Sequence, residues 1–409
     1  MPDAPRDANR LSGEATALVP APADVGEVAL ANAGALVPAR SSSAQTVVGP
    51  EQVAEEVAEA ERTRERAYAP KTLHAYRRDW EHFTAYCADR GARPLPADPL
   101  VVRTYLTVCA RTLKVATLHR RIAAIAFHHR QAGYTLDTND AAFRETWRGI
   151  RRTKTVAQNK KAAAVTAEIK AMLDHVPNDS LVGLRDRALL LVGFAGAFRR
   201  SELVGLELGD LHFEPGGLRI LLRSSKTDQE GAGLQKEIPY MEHPETCPVR
   251  ALQDWLEAAR LTDADEAPPV FEADPASGEI QARQPVFRPL SKTGRVLARR
   301  LSDKWVVLLV KRTAHAVFQK AAAGEWERLS ARQQSRHERD AWVARHADAA
   351  TARYAAHSLR AGFITTAAAN GEPIHKIMEQ TGHVRYETVA GYIRNARAIK
   401  ESAAARLGL

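Results

Sequence analysis

Four short motifs in the C-terminal part of this 409-residue chain carry side chains able to bind and transfer a charged group. They are Ala197-Phe-Arg-Arg-Ser-Glu-Leu203, the Ser-Ser-Lys-Thr stretch ending at Thr227, His357-Ser-Leu-Arg360, and Thr381-Gly-His383 followed nine residues later by Tyr392. Arginine's planar fork matches phosphate oxygens two at a time. A lysine with a tunable pKa can give up a proton, and a tyrosine phenol can attack and hold a covalent linkage. Each motif alone is weak, because an isolated His-x-x-Arg arises by chance in many helices.

Taken in this order, the four motifs resemble the tyrosine recombinase (phage integrase) family, over roughly residues 68–400. The resemblance implies a metal-free break in a DNA phosphodiester, with charge on the non-bridging oxygens met by two arginines from distant parts of the chain. These match Arg199 and Arg360. The family's hairpin lysine, which protonates the departing 5′-oxygen, matches Lys226, and its nucleophile matches Tyr392. His383 would donate to the phosphate and His357 would orient or deprotonate the tyrosine. Neither ATP, metal nor another cofactor is implied.

Each assignment has a competitor. Arg200 stands beside Arg199 where the family commonly has an apolar residue, but the spacing to Ser201-Glu202-Leu203 favours Arg199. Glu202 buttresses its helix. Lys236, on the returning strand, competes with Lys226, whose position beside Thr227 before the turn is the better match. Tyr386 competes with Tyr392, which the nine-residue interval and the i,i+4 pair Thr388/Tyr392 favour. His357 alone would read as a structural histidine; Arg360, Ala361-Gly362 and the downstream Thr-Gly-His change that reading.

The elements that must position these residues can be traced along the chain. Residues 1–66 are acidic and Ala/Pro-rich and lack aromatics, which reads as a disordered tail with a short helix over Glu51 to Arg66. From 67 to 154 the spacing becomes helical: Leu73, Tyr76, Trp80, Phe83 and Tyr86 form one stripe, and helices follow over Pro99–Leu113, Thr117–Ala132 and Asn139–Thr153. Residues 155–165 read as a linker. Residues 166–400 then read as a mixed domain, with helices over Thr166–Asp174 and Leu181–Phe198 and a hairpin of Gly217–Thr227 and Leu234–Tyr240. The stretches Asp263–Glu279 and Glu325–Arg353, longer than the resemblance requires, read as surface insertions, and 401–409 as a C-terminal tail. The expected fold class is mainly α with a small β-hairpin or sheet (α+β). By resemblance, a helical core-binding domain and a catalytic domain form a C-shaped clamp on DNA.

Charge follows this division. The chain carries 58 Lys plus Arg against 49 Asp plus Glu, a net of +9. Residues 1–67 hold 6 basic and 11 acidic side chains, 68–161 hold 18 and 7, and 162–409 hold 34 and 31. The excess sits on the helical module, the footprint of phosphate neutralisation. Arg77, Arg78, Arg120, Arg121, Arg148, Arg151 and Arg152 fall largely outside the apolar stripes and form the expected DNA-facing set, with Arg130 and Arg144 beside them.

Composition excludes several classes. The longest uncharged apolar run, Ala188–Phe198, is too short for a membrane span. The N-terminus places Asp3 and Asp7 beside its arginines without an apolar block, which argues against a secretory signal and for cytoplasmic residence. Cys87, Cys109 and Cys247 are scattered singly and read as inert thiols. The implied partners are double-stranded DNA, further protomers in a tetrameric synapse, and accessory DNA-bending proteins, with no membrane. The Ala-rich stretch after Tyr392, ending in Leu407 and Leu409, is expected to pack on a neighbouring protomer. The rival readings are a type IB topoisomerase, a telomere-type resolvase, and a non-catalytic DNA-binding protein of the same fold.

Overall fold

The computed structural model describes residues 50–66, 68–154, 161–223, 233–262, 267–273, 280–329 and 336–397. The chain divides into two units, Met1–Ala67 and Tyr68–Leu409. Within the first, the described part is one helix, α1 (Pro50–Arg66).

The second unit opens with α2 (Pro70–Ala88), α3 (Pro99–Ala110), α4 (Val115–Gln131) and α5 (Ala141–Thr153). Pro70 and Pro99 sit in the first turns, where a missing N–H costs nothing. Asp98 and Asp140 cap α3 and α5 by accepting from the Leu100 and Phe143 amides. Helix α4 starts two residues before Thr117 and draws no side-chain cap. Phe83, Tyr105, Leu106, Leu118, Ile125 and Phe143 meet in one core. Each large ring there withholds apolar surface worth about 3 kcal/mol.

The linker reading ends earlier than expected. Ala162 and Ala164 donate their amides to the Arg353 and Ser358 carbonyls, and Ala164 is fully buried, so residues 161–165 belong to a second hydrophobic core. That core contains α6 (Thr166–Leu173), α7 (Leu181–Ala195), α8 (Arg200–Gly205) and α9 (Pro248–Ala258). Against them lies an antiparallel sheet of β1 (Leu211–Glu214), β2 (Gly217–Leu222) and β3 (Leu234–Pro239), in that order. Register pairs Leu211 with Ile220 and Ile220 with Lys236. A second hairpin, β4 (Val270–Ala273) with β5 (Ile280–Arg283), occupies part of the first expected insertion, and Val270 is buried.

The second expected insertion, Glu325–Arg353, holds the end of α10 (Asp303–Leu329) and all of α11 (Arg336–Thr351). The first half of α10 is core: Val306, Leu309, Val310 and Ala314 are buried. Its attachment to α7 is electrostatic as well. The buried Asp186 carboxylate accepts from the Arg185 and Arg312 guanidinium groups and from the Trp305 indole. The fold closes with α12 (His357–Ala369), α13 (Ile374–Thr381) and α14 (Tyr386–Arg397). The mainly α architecture with small antiparallel sheets agrees with the expected fold class. Among the described residues no helix is long and apolar enough to cross a membrane, and Cys87, Cys109 and Cys247 are free and buried.

Gly362 on α12 packs directly against the 161–165 segment. A Cβ there would lie 1.8 Å from the Ala164 carbonyl oxygen and 2.5 Å from its carbon, both backbone atoms. Gly362→Ala therefore forces the 161–165 segment off α12. We expect a loss of about 3 kcal/mol of stability by denaturant titration, from overpacking and the broken Ala164–Ser358 bond. A midpoint equal to wild type would contradict this.

Candidate active site

Five of the six catalytic candidates converge. Helix α7 ends at Ala195 and the chain turns through Ala197, a non-glycine residue in the left-handed region at φ 48°. That turn costs about 1–2 kcal/mol and directs the Ala197 carbonyl to the Arg360 guanidinium, which donates to it at 2.8 Å. Two residues on, Arg199 N-caps α8 and donates to Glu202 at 2.5 Å, while Glu202 also accepts the Arg199 backbone amide. Glu202 thus fixes both the start of α8 and the Arg199 fork. Arg200 points elsewhere, to Asp303 at 3.2 Å.

Helix α12 supplies His357 and Arg360, three residues apart and so on one side of the helix. Arg360 is 1% exposed and its second terminal nitrogen lies 3.2 Å from His383 Nε2. His383 follows Gly382, which terminates α13 at φ 64°, a conformation glycine adopts without steric cost. Its Nδ1 is 2.8 Å from the Thr381 hydroxyl. Helix α14 brings Tyr392 to His357, with Tyr Oη 2.9 Å from His Nε2. The Tyr392 ring packs against an apolar cluster of Ile364, Ala368, Ile377 and Val389, which seats α14 on α12 and α13. Tyr386, at the start of the same helix, is 55% exposed and has no place in this cluster.

The electrostatics are strained in one direction. Arg360 is pushed down to about 10, by burial and then by Arg199, with Glu202 and Tyr392 opposing. His383 is lowered to about 4 by burial and then by Arg360 and Arg199. His357, at the rim, is also lowered, by desolvation and then by the same two arginines. Burial raises the Tyr392 phenol, and Arg360 pulls it back. One carboxylate, Glu202, enters this account against Arg199, Arg360 and Lys236. A pocket so short of negative charge favours an anion between the arginine forks. Among the described residues no group of three or more His, Cys, Asp or Glu side chains could hold a metal ion.

Lys226 lies outside the described residues. Its competitor Lys236 is buried beside the site, where its ammonium donates to the Gln380 carbonyl. The sequence marks Lys236 as a competitor of Lys226 and carries no signal for Gln380.

In the helical module Arg77, Arg78, Arg148, Arg151 and Arg152 are exposed. Arg144, Arg148, Arg151 and Arg152 line a shallow groove with Trp147 on α5. Two expected members differ. Arg121 is 8% exposed; it donates to Cys109 Sγ at 2.8 Å and sits over the Tyr105 ring, so it is a core residue. Arg120 is engaged by Asp79 in a two-pronged ion pair at 2.7 and 3.1 Å, which neutralises it. Asp79 is buried between these two arginines; Arg121 turns inward, whereas the Arg120 side chain stays half exposed.

The chain matches the phage integrase family over residues 165–398 and the phage integrase N-terminal SAM-like domain over residues 63–132. An integrase/recombinase of Selenomonas ruminantium described as a xerD homolog is 34% identical over 351 residues, covering 85% of this chain and 88% of that protein. Tyrosine recombinase XerC of Pelobacter propionicus is 27% identical over 210 residues, 47% of this chain and 60% of that one. Among solved structures, the XerH site-specific recombinase bound to a palindromic difH substrate is 17% identical with a TM-score of 0.47, covering 76% of this chain and 72% of that chain. With more than half its length matched by one family and a relative that aligns across both domains, the chain belongs to the phage integrase family, the tyrosine recombinases that carry out site-specific recombination.

Proposed function

We propose that Tyr392 is the nucleophile that breaks and rejoins double-stranded DNA, in a pocket formed by Arg199, His357, Arg360 and His383. The observation that carries this is the 2.9 Å approach of the Tyr392 phenol to His357 Nε2 beside the under-neutralised arginine pair. The phenol oxygen forms a bond to the scissile phosphorus while its proton passes to neutral His357. The bond from phosphorus to the 5′-oxygen breaks, and Lys226 gives that oxygen a proton. Arg199 and Arg360 neutralise the charge on the non-bridging oxygens, and His383 donates a hydrogen bond there. The product is a 3′-phosphotyrosyl linkage and a free 5′-hydroxyl, which attacks the partner strand's linkage and returns the phenol. Linkage energy is conserved through both steps, so the scheme needs no ATP, and with the arginines neutralising the phosphate no step is routed through a metal.

A complete exchange needs two duplexes and four protomers, in a synapse where the helical module and the catalytic domain close on DNA as a C-shaped clamp. The exposed arginines of α2 and α5, Arg77, Arg78, Arg148, Arg151 and Arg152, are the phosphate contacts of this reading, and Arg121 drops out of the set. The stretch after Tyr392 would pack on a neighbouring protomer; its residues 398–409 lie outside the described residues. Accessory DNA-bending proteins are compatible partners, and the reading places this work on DNA in the cytoplasm.

The test is covalent capture. Random-sequence duplexes nicked to trap the intermediate are incubated with the full chain without added metal, and captured fragments are enriched. Protein–DNA adducts that survive denaturation are expected; their absence would sink the enzymatic reading in favour of a DNA-binding protein of the same fold.

A further inference from the structure

Lys236 takes no part in the reaction above, yet it is among the largest side chains with almost no solvent exposure, at 1%. β3 carries it opposite Ile220 of β2 and turns it inward. Its Nζ lies 5.1 Å from the centre of the Phe198 ring, the residue before Arg199. The charged and titratable groups facing it are Arg360 of α12, Arg199 and Glu202 at α8, and His383 beyond α13. Packing does not select an ammonium for such a place. A methionine would fill the same slot with no charge to desolvate and no repulsion from two arginines.

What the ammonium does is hold a backbone. It donates to the carbonyl of Gln380, the residue before Thr381-Gly382-His383. The Gln380 amide group donates in turn to the Ala195 carbonyl at 3.0 Å, where α7 ends, and to the Glu237 carbonyl at 3.1 Å on β3. Three hydrogen bonds therefore fasten the last turn of α13 to the hairpin strand and to the helix end leading into Arg199. From this anchor the chain swings through left-handed Gly382 to His383, which meets Arg360 at 3.2 Å.

We propose that Lys236 is a positioning residue for the phosphate pocket, fixing through the Gln380 carbonyl the turn that presents His383 to the scissile phosphate. The inference rests on the recombinase reading above. It gives Lys236 a task separate from the proton donation assigned to Lys226, because its amine is directed at a peptide carbonyl. Burial and the two arginines bring its pKa down to about 7, with Glu202 opposing. The brace therefore carries a full charge only below neutral pH.

The experiment measures single-turnover adduct formation by the full chain on a captured site, at saturating DNA, from pH 6 to pH 9. Lys236→Met, which loses the charge-assisted contact to the Gln380 carbonyl, and Gln380→Leu, which keeps that carbonyl but loses the two amide bonds to Ala195 and Glu237, are each expected to slow adduct formation about tenfold at pH 7, with DNA affinity unchanged. Acting through one turn, they should combine to no more than the slower single variant. Wild type should lose rate as pH rises past about 7; Lys236→Met should lack that limb and Lys236→Arg should displace it to higher pH. A Lys236→Met protein with the wild-type rate and pH profile overturns the inference. So does one that loses melting temperature while its pH profile keeps the wild-type shape, since that is a structural role. Should Lys236→Met fail to fold, Lys236→Arg and Gln380→Leu decide the matter by the same profile. No adduct from wild type would overturn the recombinase reading and this inference with it, whereas wild-type adducts formed no faster than those of Lys236→Met overturn the inference alone.

Discussion

Tyr392→Phe should abolish covalent capture of DNA while leaving DNA binding intact. The substitution removes one oxygen, the atom that lies 2.9 Å from His357 Nε2, and keeps the ring that packs on Ile364, Ala368, Ile377 and Val389. Stability should change by less than about 1 kcal/mol, because the lost hydrogen bond is at the accessible rim. Tyr386→Phe should retain wild-type capture, since Tyr386 is exposed and outside the cluster. Adducts persisting in Tyr392→Phe, or lost in Tyr386→Phe, would reverse the assignment. The same geometry sets the acid side of the pH profile. His357 takes the phenolic proton only when neutral, and desolvation with Arg360 and Arg199 holds its pKa below 6.5. Capture should therefore persist through the pH where an ordinary histidine protonates, and fail only at lower pH. The stability sign agrees. A histidine whose folded pKa is lowered contributes nothing adverse above 6.5, and stability is lost as pH falls from 6.5 toward the folded value.

How much of this was legible in the sequence depends on how local each signal is. His357 with Arg360, and Thr381 with His383, are contiguous motifs whose geometry a single helix or turn enforces, so their residue types sufficed. Lys236 was not legible, because its burial depends on Gln380, 144 positions away. Arg121 could have been read correctly. It lies three residues after Leu118 and four before Ile125, both buried, and so falls on the apolar stripe of α4, whereas its neighbour Arg120 is turned about 100° away. Charge type outweighed periodicity in that reading. β1 escaped because Leu-His-Phe-Glu is four residues with one half-buried position, too short for an alternation to register. The core half of α10 was missed for a different reason. Val306, Leu309 and Val310 lie upstream of the charged stretch at Glu325 that drew the insertion boundary.

Arg360→Lys keeps the charge and tests whether the fork matters. The wild-type guanidinium uses one terminal nitrogen on the Ala197 carbonyl at 2.8 Å and the other beside His383 at 3.2 Å. It thereby couples the α7 turn to the His383 turn across the space where a phosphate would sit. A lysine offers one compact ammonium and can satisfy the Ala197 carbonyl or a phosphate oxygen, not both in fixed geometry. If it stays with the carbonyl, the phosphate loses a donor in a desolvated pocket, a loss of about 10²–10³ in rate by comparison with removal of one preorganised oxyanion donor. If it turns to the phosphate, Ala197 is left with a buried unpaired carbonyl, at about 1–3 kcal/mol of stability. The two outcomes are separable: adduct rate at saturating DNA reads the first and melting temperature the second. Affinity for DNA should change little in either case if, as proposed, bulk attraction comes from the exposed arginines of the helical module. A variant with the wild-type rate and melting temperature would show that positive charge alone is enough at this position, and that the planarity of Arg360 has no part in holding the phosphate.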